Sequence, residues 1–499
     1  MQGSADNTAI SRLIVTLVLV LGAVILAVQG VKSQNIIIMG MVFAIPLGIY
    51  FLMHPKSMLV WLFLSNAGML LVPGMRGFTL AHILSLMIIG WWIVSSALTK
   101  QKLGRYEKSE TFLVLFILNI ILIMSVRGFS LGIFGGYDMG GAAYIKLLLA
   151  LFLYFAAVRI AVEEKQIKWI LYGSLLFSLL PFFAEIAVWK TGGTLYGIVG
   201  KFIGIGVRAG VQAMQVQDIG AVRWTGLTPL ASAVFMLGLV LRFKKGGGKF
   251  VIPVIMVGSA ILMRMATGFR GATFSMIMIA LLWCIFISRN RFATAVMLII
   301  VGVAGWLFLV VTIDFFPENM QRAVSFLPMV GVDQMVAQNA QNSIDFRLDI
   351  WQQCVPHIKE YLFVGRGLVV NVKDWAFLSA SAYGTTEFFY KMHAYHSGPL
   401  VLLLDTGVPG LILASIFMLA TAREGWKGLG DFQDRTSLAY RYYFFLNIQF
   451  SYSVFSFFAI YGDLQGSLPK IILTAILMRV LRYSVLKRQQ VQDAEVVAY

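Results

Sequence analysis

Charged residues are scarce in this chain of 499 residues: they make up 13% of it, whereas hydrophobic residues make up 59%. Soluble domains need more polar surface than this composition supplies, so a set of soluble domains is excluded. About fourteen apolar runs are long enough, or nearly long enough, to span a bilayer. The sequence therefore predicts an all-α polytopic membrane protein with about 12–14 transmembrane helices.

Cysteine is nearly absent as well. Cys284 lies in an apolar run and Cys354 in a hydrophilic segment, so we expect them at different depths and expect no disulfide between them. No spacing typical of a zinc site is present, because His393 and His396 form a lone His-x-x-His pair without a third ligand nearby. A zinc-dependent membrane hydrolase is therefore a poorly supported alternative, and we predict neither a metal nor a cofactor.

Acidic residues are few, 23 against 40 lysines and arginines, which gives a formal net charge of +17. The basic residues recur in alternate loops, the pattern that marks the cytoplasmic loops of membrane proteins. Orientation accounts for nearly all of them. Segment 189–225 is an exception, because it is basic but is predicted to lie outside the cytoplasm. Its charge favours an anionic substrate or anionic lipid headgroups as a ligand. No nucleic-acid-binding motif accompanies the charge, so nucleic acid is not an expected partner.

Hydropathy and charge divide the chain into four segments. Within residues 314–397, apolar residues recur at helical spacing over 345–358, which predicts an amphipathic helix that Pro356 ends or bends. The segments are a transmembrane scaffold with outward loops (1–225), central transmembrane helices that carry the Arg270 turn (226–313), a large, partly helical outer loop (314–397), and C-terminal transmembrane helices with a basic cytoplasmic tail (398–499).

The large loop ends in residues that suit proton chemistry at a membrane surface. His393 and His396 precede an apolar run that contains Asp405. If residues 393–396 are helical, the two imidazoles lie on one face, and one can act as a general base because imidazole titrates near neutral pH. The alternative for His393 is a packing or interface role. We expect Asp405 to need a cationic partner, because an ionisable group inside a membrane is costly.

Arginines stand beside glycines at several outer turns. Arg270 lies between Gly268 and Gly271, where a guanidinium suits two-point binding of phosphate oxygens. Arg127 begins a glycine-containing loop, and Arg366 stands in a Gly-x-Gly turn. The alternative for each is an anchoring role at the membrane interface, where arginine side chains extend towards the headgroups.

Four pieces stand in a fixed order over roughly the second half of the chain. The pieces are Arg223-Trp224-Thr225-Gly226, the turn Thr267-Gly268-Phe269-Arg270-Gly271, Phe346-Arg347-Leu348-Asp349 with Gly365-Arg366-Gly367, and His396-Ser397 through Asp405 and Gly407 to Gly410. In order and spacing they resemble the O-antigen ligase and O-antigen polymerase family of bacterial membrane glycosyltransferases. The chain departs from the usual family pattern at Phe269, Ser397 and Asp405, where serine, asparagine and glutamate are common, but the arginine, the histidine and an acid are kept.

The resemblance implies a glycosyltransferase that moves a glycan from an undecaprenyl-pyrophosphate carrier to an acceptor hydroxyl, with inversion at the anomeric carbon and without a metal ion. It places the active site at the periplasmic face of the bacterial inner membrane, among membrane lipids. Matched to the family motif, Arg270 and Arg347 hold the pyrophosphate, and His396 activates the acceptor. Supporting positions are Arg223, Arg366, His393, Asp405 and Arg127.

A transporter or flippase of lipid-linked saccharides is the main alternative. It too would use arginines within the membrane, but it has less need of a long outer loop that ends in histidines. The lack of an internal repeat also counts mildly against a transporter. Within the glycosyltransferase class, a polymerase is slightly favoured over a ligase that acts on a lipid core and over an enzyme that glycosylates a protein.

Overall fold

A computed structural model describes residues 47–72, 78–99, 107–129, 140–204, 224–241, 248–369 and 385–497. In these ranges the chain is helical, with two isolated β-bridges and no strand, which confirms the predicted all-α membrane fold. The helices longer than one turn are Pro55–Ala67, Leu80–Thr99, Lys108–Arg127, Gly141–Ala157, Glu164–Lys190, Leu227–Val240, Gly248–Ala266, Arg270–Ile287, Arg291–Thr312, Glu318–Val324, Gln334–Cys354, Thr386–Lys391, Gly398–Gly428, Leu438–Ala459 and Ser467–Val497.

Six of the described helices are long and apolar enough to cross a membrane, and a seventh span results if the bent pair Leu47–Met53 and Pro55–Ala67 is counted as one. Other apolar runs fold as shorter helices, such as Gly141–Ala157 and Leu227–Val240. The first predicted run, at about 10–30, lies outside the described residues. The protein is therefore a multi-pass membrane protein.

The amphipathic helix of the large loop is longer than the sequence pattern predicts. It spans Gln334–Cys354 and begins at Asp333, whose side chain accepts hydrogen bonds from two backbone N–H groups of the first turn. The N-terminal half of this helix, which the sequence did not predict, is mostly polar and exposed, so it has no apolar stripe that the spacing of residues could reveal. Pro356 lies in the 3₁₀ turn that follows, where the helix was predicted to end or bend.

The helix Gly398–Gly428, called the broken helix below, is interrupted at Gly407, whose φ is 72° and ψ is 176°. Pro409 has no N–H, so it cannot bond the carbonyl of Asp405 as a helix would require. The loop of residues 362–368 replaces the lost bonds. Its Gly367 N–H donates to Asp405 O at 3.0 Å, and its Arg366 N–H donates to Leu404 O at 2.6 Å.

Two glycines permit this contact of backbone with backbone. A Cβ on Gly365 would lie 2.5 Å from the carbonyl oxygen of Asp405, and a Cβ on Gly407 would lie 2.7 Å from that of Phe363. Both glycines also have positive φ, which residues with a side chain rarely adopt. Irregular backbone is tolerated at membrane depth only where its polar groups are satisfied by protein, and here the loop satisfies them.

At the other end of the bundle, partly buried ion pairs join three parts of the chain. Arg479 pairs with Glu110 at 2.5 Å, and Arg482 pairs with Glu107 at 2.7 Å and with Asp431 at 2.5 Å. These arginines were explained above by orientation alone. The structure adds a packing role, because they link the helices Lys108–Arg127 and Ser467–Val497 to the end of the broken helix.

Candidate active site

The predicted helical arrangement of the two histidines is wrong. The helix Thr386–Lys391 ends before them, and the broken helix begins after them at Gly398. His393 and His396 both have left-handed backbone, with φ of 56° and 57°, a region that residues other than glycine occupy rarely. The chain turns sharply here because Gly398 packs so closely on helix Leu438–Ala459 that a Cβ would lie 2.2 Å from the carbonyl oxygen of Phe457.

His393 lies against a buried carboxylate. Its Nδ1 is 2.7 Å from Asp405 Oδ1, and the Tyr395 hydroxyl donates to the same oxygen at 3.1 Å. All three side chains are buried. A carboxylate that meets two donors accepts from both, which assigns a proton to Nδ1 of His393. Asp405, which was expected to meet a cation, thus has two hydrogen-bond donors on one of its oxygens.

Arg366 extends this network on its outer side. Its Nη1 donates to the Tyr395 hydroxyl at 3.2 Å and to the Tyr390 carbonyl at 3.0 Å. Burial opposes the guanidinium charge, but the Asp405 carboxylate and the hydrogen bond to Tyr395 outweigh it and raise the pKa of Arg366. Burial also raises the pKa of Tyr395 well above its ordinary value, so this phenol stays protonated and donates to the carboxylate. The supporting positions Arg366, His393 and Asp405 form one hydrogen-bonded unit.

His396 has a different environment from His393. Its ring stacks on Tyr461 with centroids 5.2 Å apart and lies 5.5 Å from the ring of Phe389. The residue is half-buried, whereas His393 is only 4% exposed. His396 can therefore meet a substrate from the loop side, and His393 would first have to leave its carboxylate.

Arg270 and Arg347 come from two elements in contact, the turn before helix Arg270–Ile287 and the amphipathic helix. Arg270 opens the helix Arg270–Ile287, and its Nη2 donates to the Ala340 carbonyl at 2.8 Å. Arg347 stands about two turns beyond Ala340 on the same helix. Like charges repel, and an anion bound by both arginines would remove the repulsion. The pair is therefore suited to a phosphate-bearing ligand.

Two contacts bring this arginine pair towards His396. A Cβ on Gly271, next to Arg270, would lie 3.6 Å from Ile460, which precedes the Tyr461 that stacks on His396. Trp351, one helical turn after Arg347, donates its Nε1 to the Tyr395 carbonyl at 2.8 Å. The two arginines and the half-buried imidazole thus share one region at one end of the helices.

Arg127, another arginine of the supporting set, lies apart from this region. Arg127 donates from Nε to the Gly365 carbonyl at 2.8 Å, and its guanidinium lies over the ring of Tyr361. It holds the loop that closes the break in the broken helix. Arg223 lies outside the described residues. The Gly226 that follows it donates to the carboxylate of Glu185 at 2.7 Å.

A polar cavity of about 460 Å³ opens beside the network. Arg366 and Tyr390 belong to its wall, and the guanidinium lies over the Tyr390 ring at 4.9 Å. His357 stacks near the same ring at 5.1 Å. The cavity volume is in the range of small-molecule sites. Since Phe389 of the same short helix contacts His396, one helix separates the cavity from the candidate base.

Within the described ranges, no three His, Cys, Asp or Glu side chains come together as a metal site would require. The two histidines diverge, because His393 turns to Asp405 and His396 to Tyr461. This geometry gives no support to the zinc hydrolase alternative. Cys284 and Cys354 are both free thiols.

Several residues of the site were not found from the sequence. Tyr395 stands between the two histidines, and an aromatic residue in an aromatic stretch gives no sign that its hydroxyl meets a carboxylate ten residues on. Tyr461 lies in another helix connection, and no local pattern links it to His396. For Tyr395 the available signal was the need of Asp405 for a partner.

The comparisons with known proteins find a family match over this part of the chain. Residues 253–415 match the O-antigen ligase family model. A search of curated protein sequences found no match. The matched range contains Arg270, Arg347, Arg366, His396 and Asp405, together with the amphipathic helix between them. The match confirms the resemblance stated from the sequence and supports a glycosyltransferase of the O-antigen ligase and polymerase type, which acts on lipid-linked glycans.

Proposed function

We propose that this chain, whose residues 253–415 match the O-antigen ligase family, is a metal-independent inverting glycosyltransferase of the bacterial inner membrane. Its donor is a glycan on undecaprenyl pyrophosphate, and its acceptor is a hydroxyl presented at the periplasmic face. The observation that carries the proposal is that the half-buried His396 lies in the same region as Arg270 and Arg347. A polymerase, whose acceptor is a second lipid-linked glycan, is the form we favour.

The reaction assigns one task to each group. His396 accepts the proton of the acceptor hydroxyl as its oxygen forms a bond to the anomeric carbon. The bond from that carbon to the carrier pyrophosphate breaks, and the pyrophosphate leaves with the electron pair from the face opposite to the attack. Arg270 and Arg347 stabilise the charge that develops on the leaving group. Because Nδ1 of His396 is buried, Nε2 is the nitrogen that we assign to the acceptor proton.

The buried unit behind His396 has a supporting role in this proposal. The His393 and Asp405 pair fixes the turn that carries His396, and Arg366 with Arg127 fixes the loop that closes the broken helix. None of these four groups needs to touch the substrate. Their contribution is the rigid placement of the base, which is required because a general base must lie within hydrogen-bonding distance of the proton that it removes.

A flippase of lipid-linked saccharides remains the second candidate, and the broken helix is the observation that favours it, because interrupted helices often form the sites of transporters. In this chain the freed backbone groups at Leu404, Asp405 and Val408 are bonded to the loop. They are thus unavailable to a transported ligand. Purified protein in nanodiscs distinguishes the two, since a transferase forms a new glycosidic bond there and a flippase forms none.

The loop orientation gives the first prediction. Gln341 lies on the exposed face of the amphipathic helix. We expect Gln341→Cys to react with a membrane-impermeant maleimide from the periplasmic side. The reason is that basic residues in the neighbouring helix connections keep those connections in the cytoplasm, which places the large loop on the other side. Arg435→Cys, in an exposed turn on the opposite side, is the matched control and should label only after the inner membrane is permeabilised. The reverse pattern would contradict the topology and the mechanism.

The arginine pair gives the second prediction. Arg347→Lys is expected to recover only part of the activity that Arg347→Ala loses, with kcat/KM at least about tenfold below wild type, because a lysine keeps the charge but loses planar two-point binding of phosphate. Gln341→Ala, on the same helix, serves as the control and should keep normal transfer. Equal activity of the lysine and arginine forms would show that the residue supplies only general positive potential.

A further inference from the structure

Arg322 is a buried arginine to which no role has been given so far. It lies in the helix Glu318–Val324 and is 7% exposed. Its guanidinium donates in three directions: Nη1 to the Gly268 carbonyl, Nε to Asn339 Oδ1 and Nη2 to Ser343 Oγ, each at 3.0 Å. One planar group thus joins two separate elements of the chain to the helix that carries it.

Those two elements are the ones that carry Arg270 and Arg347. Gly268 stands two residues before Arg270, in a turn where its φ is 71°. Ser343 stands one helical turn before Arg347, so its position fixes the part of the amphipathic helix from which Arg347 projects. The bond from Arg270 to the Ala340 carbonyl lies in the same interval.

We propose that Arg322 is a positioning residue that sets the separation of Arg270 and Arg347 and so prepares them for the donor pyrophosphate. The two guanidinium groups repel each other before the anion arrives, so some part of the protein must hold them in place. A lysine in place of Arg322 could reach one acceptor but not three in one plane. The inference rests on the proposed function, because the pyrophosphate is the ligand for which the spacing is set.

The test uses Arg322→Lys and, as a matched control, Gln321→Ala. Gln321 is the adjacent residue and equally buried at 7%, but its side chain bonds Phe316 O and the Asp333 N–H, not the arginine turn. Full-length variants are reconstituted in nanodiscs, and their melting temperatures are measured. Steady-state transfer from a purified undecaprenyl-pyrophosphate glycan then gives KM and kcat separately.

We expect Arg322→Lys to raise the donor KM about tenfold, by loss of two-point anion binding, with a smaller change in kcat. Gln321→Ala should keep the wild-type KM even if its melting temperature falls. The double variant Arg322→Lys/Arg347→Lys should be only about twofold worse than Arg347→Lys alone, because residues that act through one interaction are not additive. When Arg322→Lys is combined with His396→Asn, the reductions in kcat/KM caused by the two single changes should multiply.

Three results would overturn the inference: an unchanged donor KM in Arg322→Lys, an equal rise in Gln321→Ala, or full additivity with Arg347→Lys. Each of them leaves the proposed function standing, since the wild-type protein still transfers. Failure of the wild-type protein to transfer from any lipid-pyrophosphate donor would instead reject the proposed function, and this inference with it.

Discussion

His396→Asn is expected to transfer glycan at least about a hundredfold more slowly than the wild-type protein, the range expected when a general base is lost. Donor binding should stay nearly intact, because Arg270 and Arg347 hold the pyrophosphate without help from the imidazole. Asparagine is the informative replacement, since it tolerates the left-handed backbone of this position better than alanine does. The measurement is in vitro transfer and donor binding in nanodiscs.

His393→Asn is the matched control, because His393 has nearly the same φ and lies three residues away. Its ring is buried against Asp405 and cannot meet the acceptor, so turnover of the folded variant should fall much less than that of His396→Asn. Normal turnover in His396→Asn would contradict the general-base assignment. So would a loss of donor binding in proportion to the loss of activity, which would make His396 a binding residue.

The sequence was sufficient for those features that depend on local chemistry. Composition alone predicted the helical membrane fold. The need of Asp405 for a partner followed from its apolar surroundings. These conclusions required only the cost of a polar group in lipid. The break of the helix at Gly407 was not predicted, although Gly407 and Pro409 stand in the sequence there.

Other features depend on contacts between distant parts of the chain and could not be predicted. Spacing placed His393 and His396 on one helical face, but the tight packing of Gly398 against Phe457 forces a turn there. The partner that Asp405 meets was expected to be a cation of any kind, and only the fold selects His393 and Tyr395. A prediction from residue spacing assumes a regular helix, but His393 and His396 lie before the broken helix begins at Gly398.

Asp405→Ala is expected to have the largest effect on stability. It would leave the Nδ1–H of His393 and the hydroxyl of Tyr395 buried without their acceptor. Each unsatisfied buried group costs about 1–3 kcal/mol, so the loss should be on the order of 2–6 kcal/mol. Asp405→Asn should lose less, because its amide oxygen can still accept a hydrogen bond. Thermal unfolding of the purified variants in detergent gives the comparison.

The double variant His393→Leu/Asp405→Leu tests whether the effect comes from the pair. Replacing both partners of a buried polar pair with apolar groups is often nearly neutral, whereas removing one is costly. The double variant should therefore unfold at a higher temperature than Asp405→Ala, although Tyr395 still lacks its acceptor. If Asp405→Ala proved as stable as the wild-type protein, the buried contact of Asp405 with His393 and Tyr395 would not stabilise the fold.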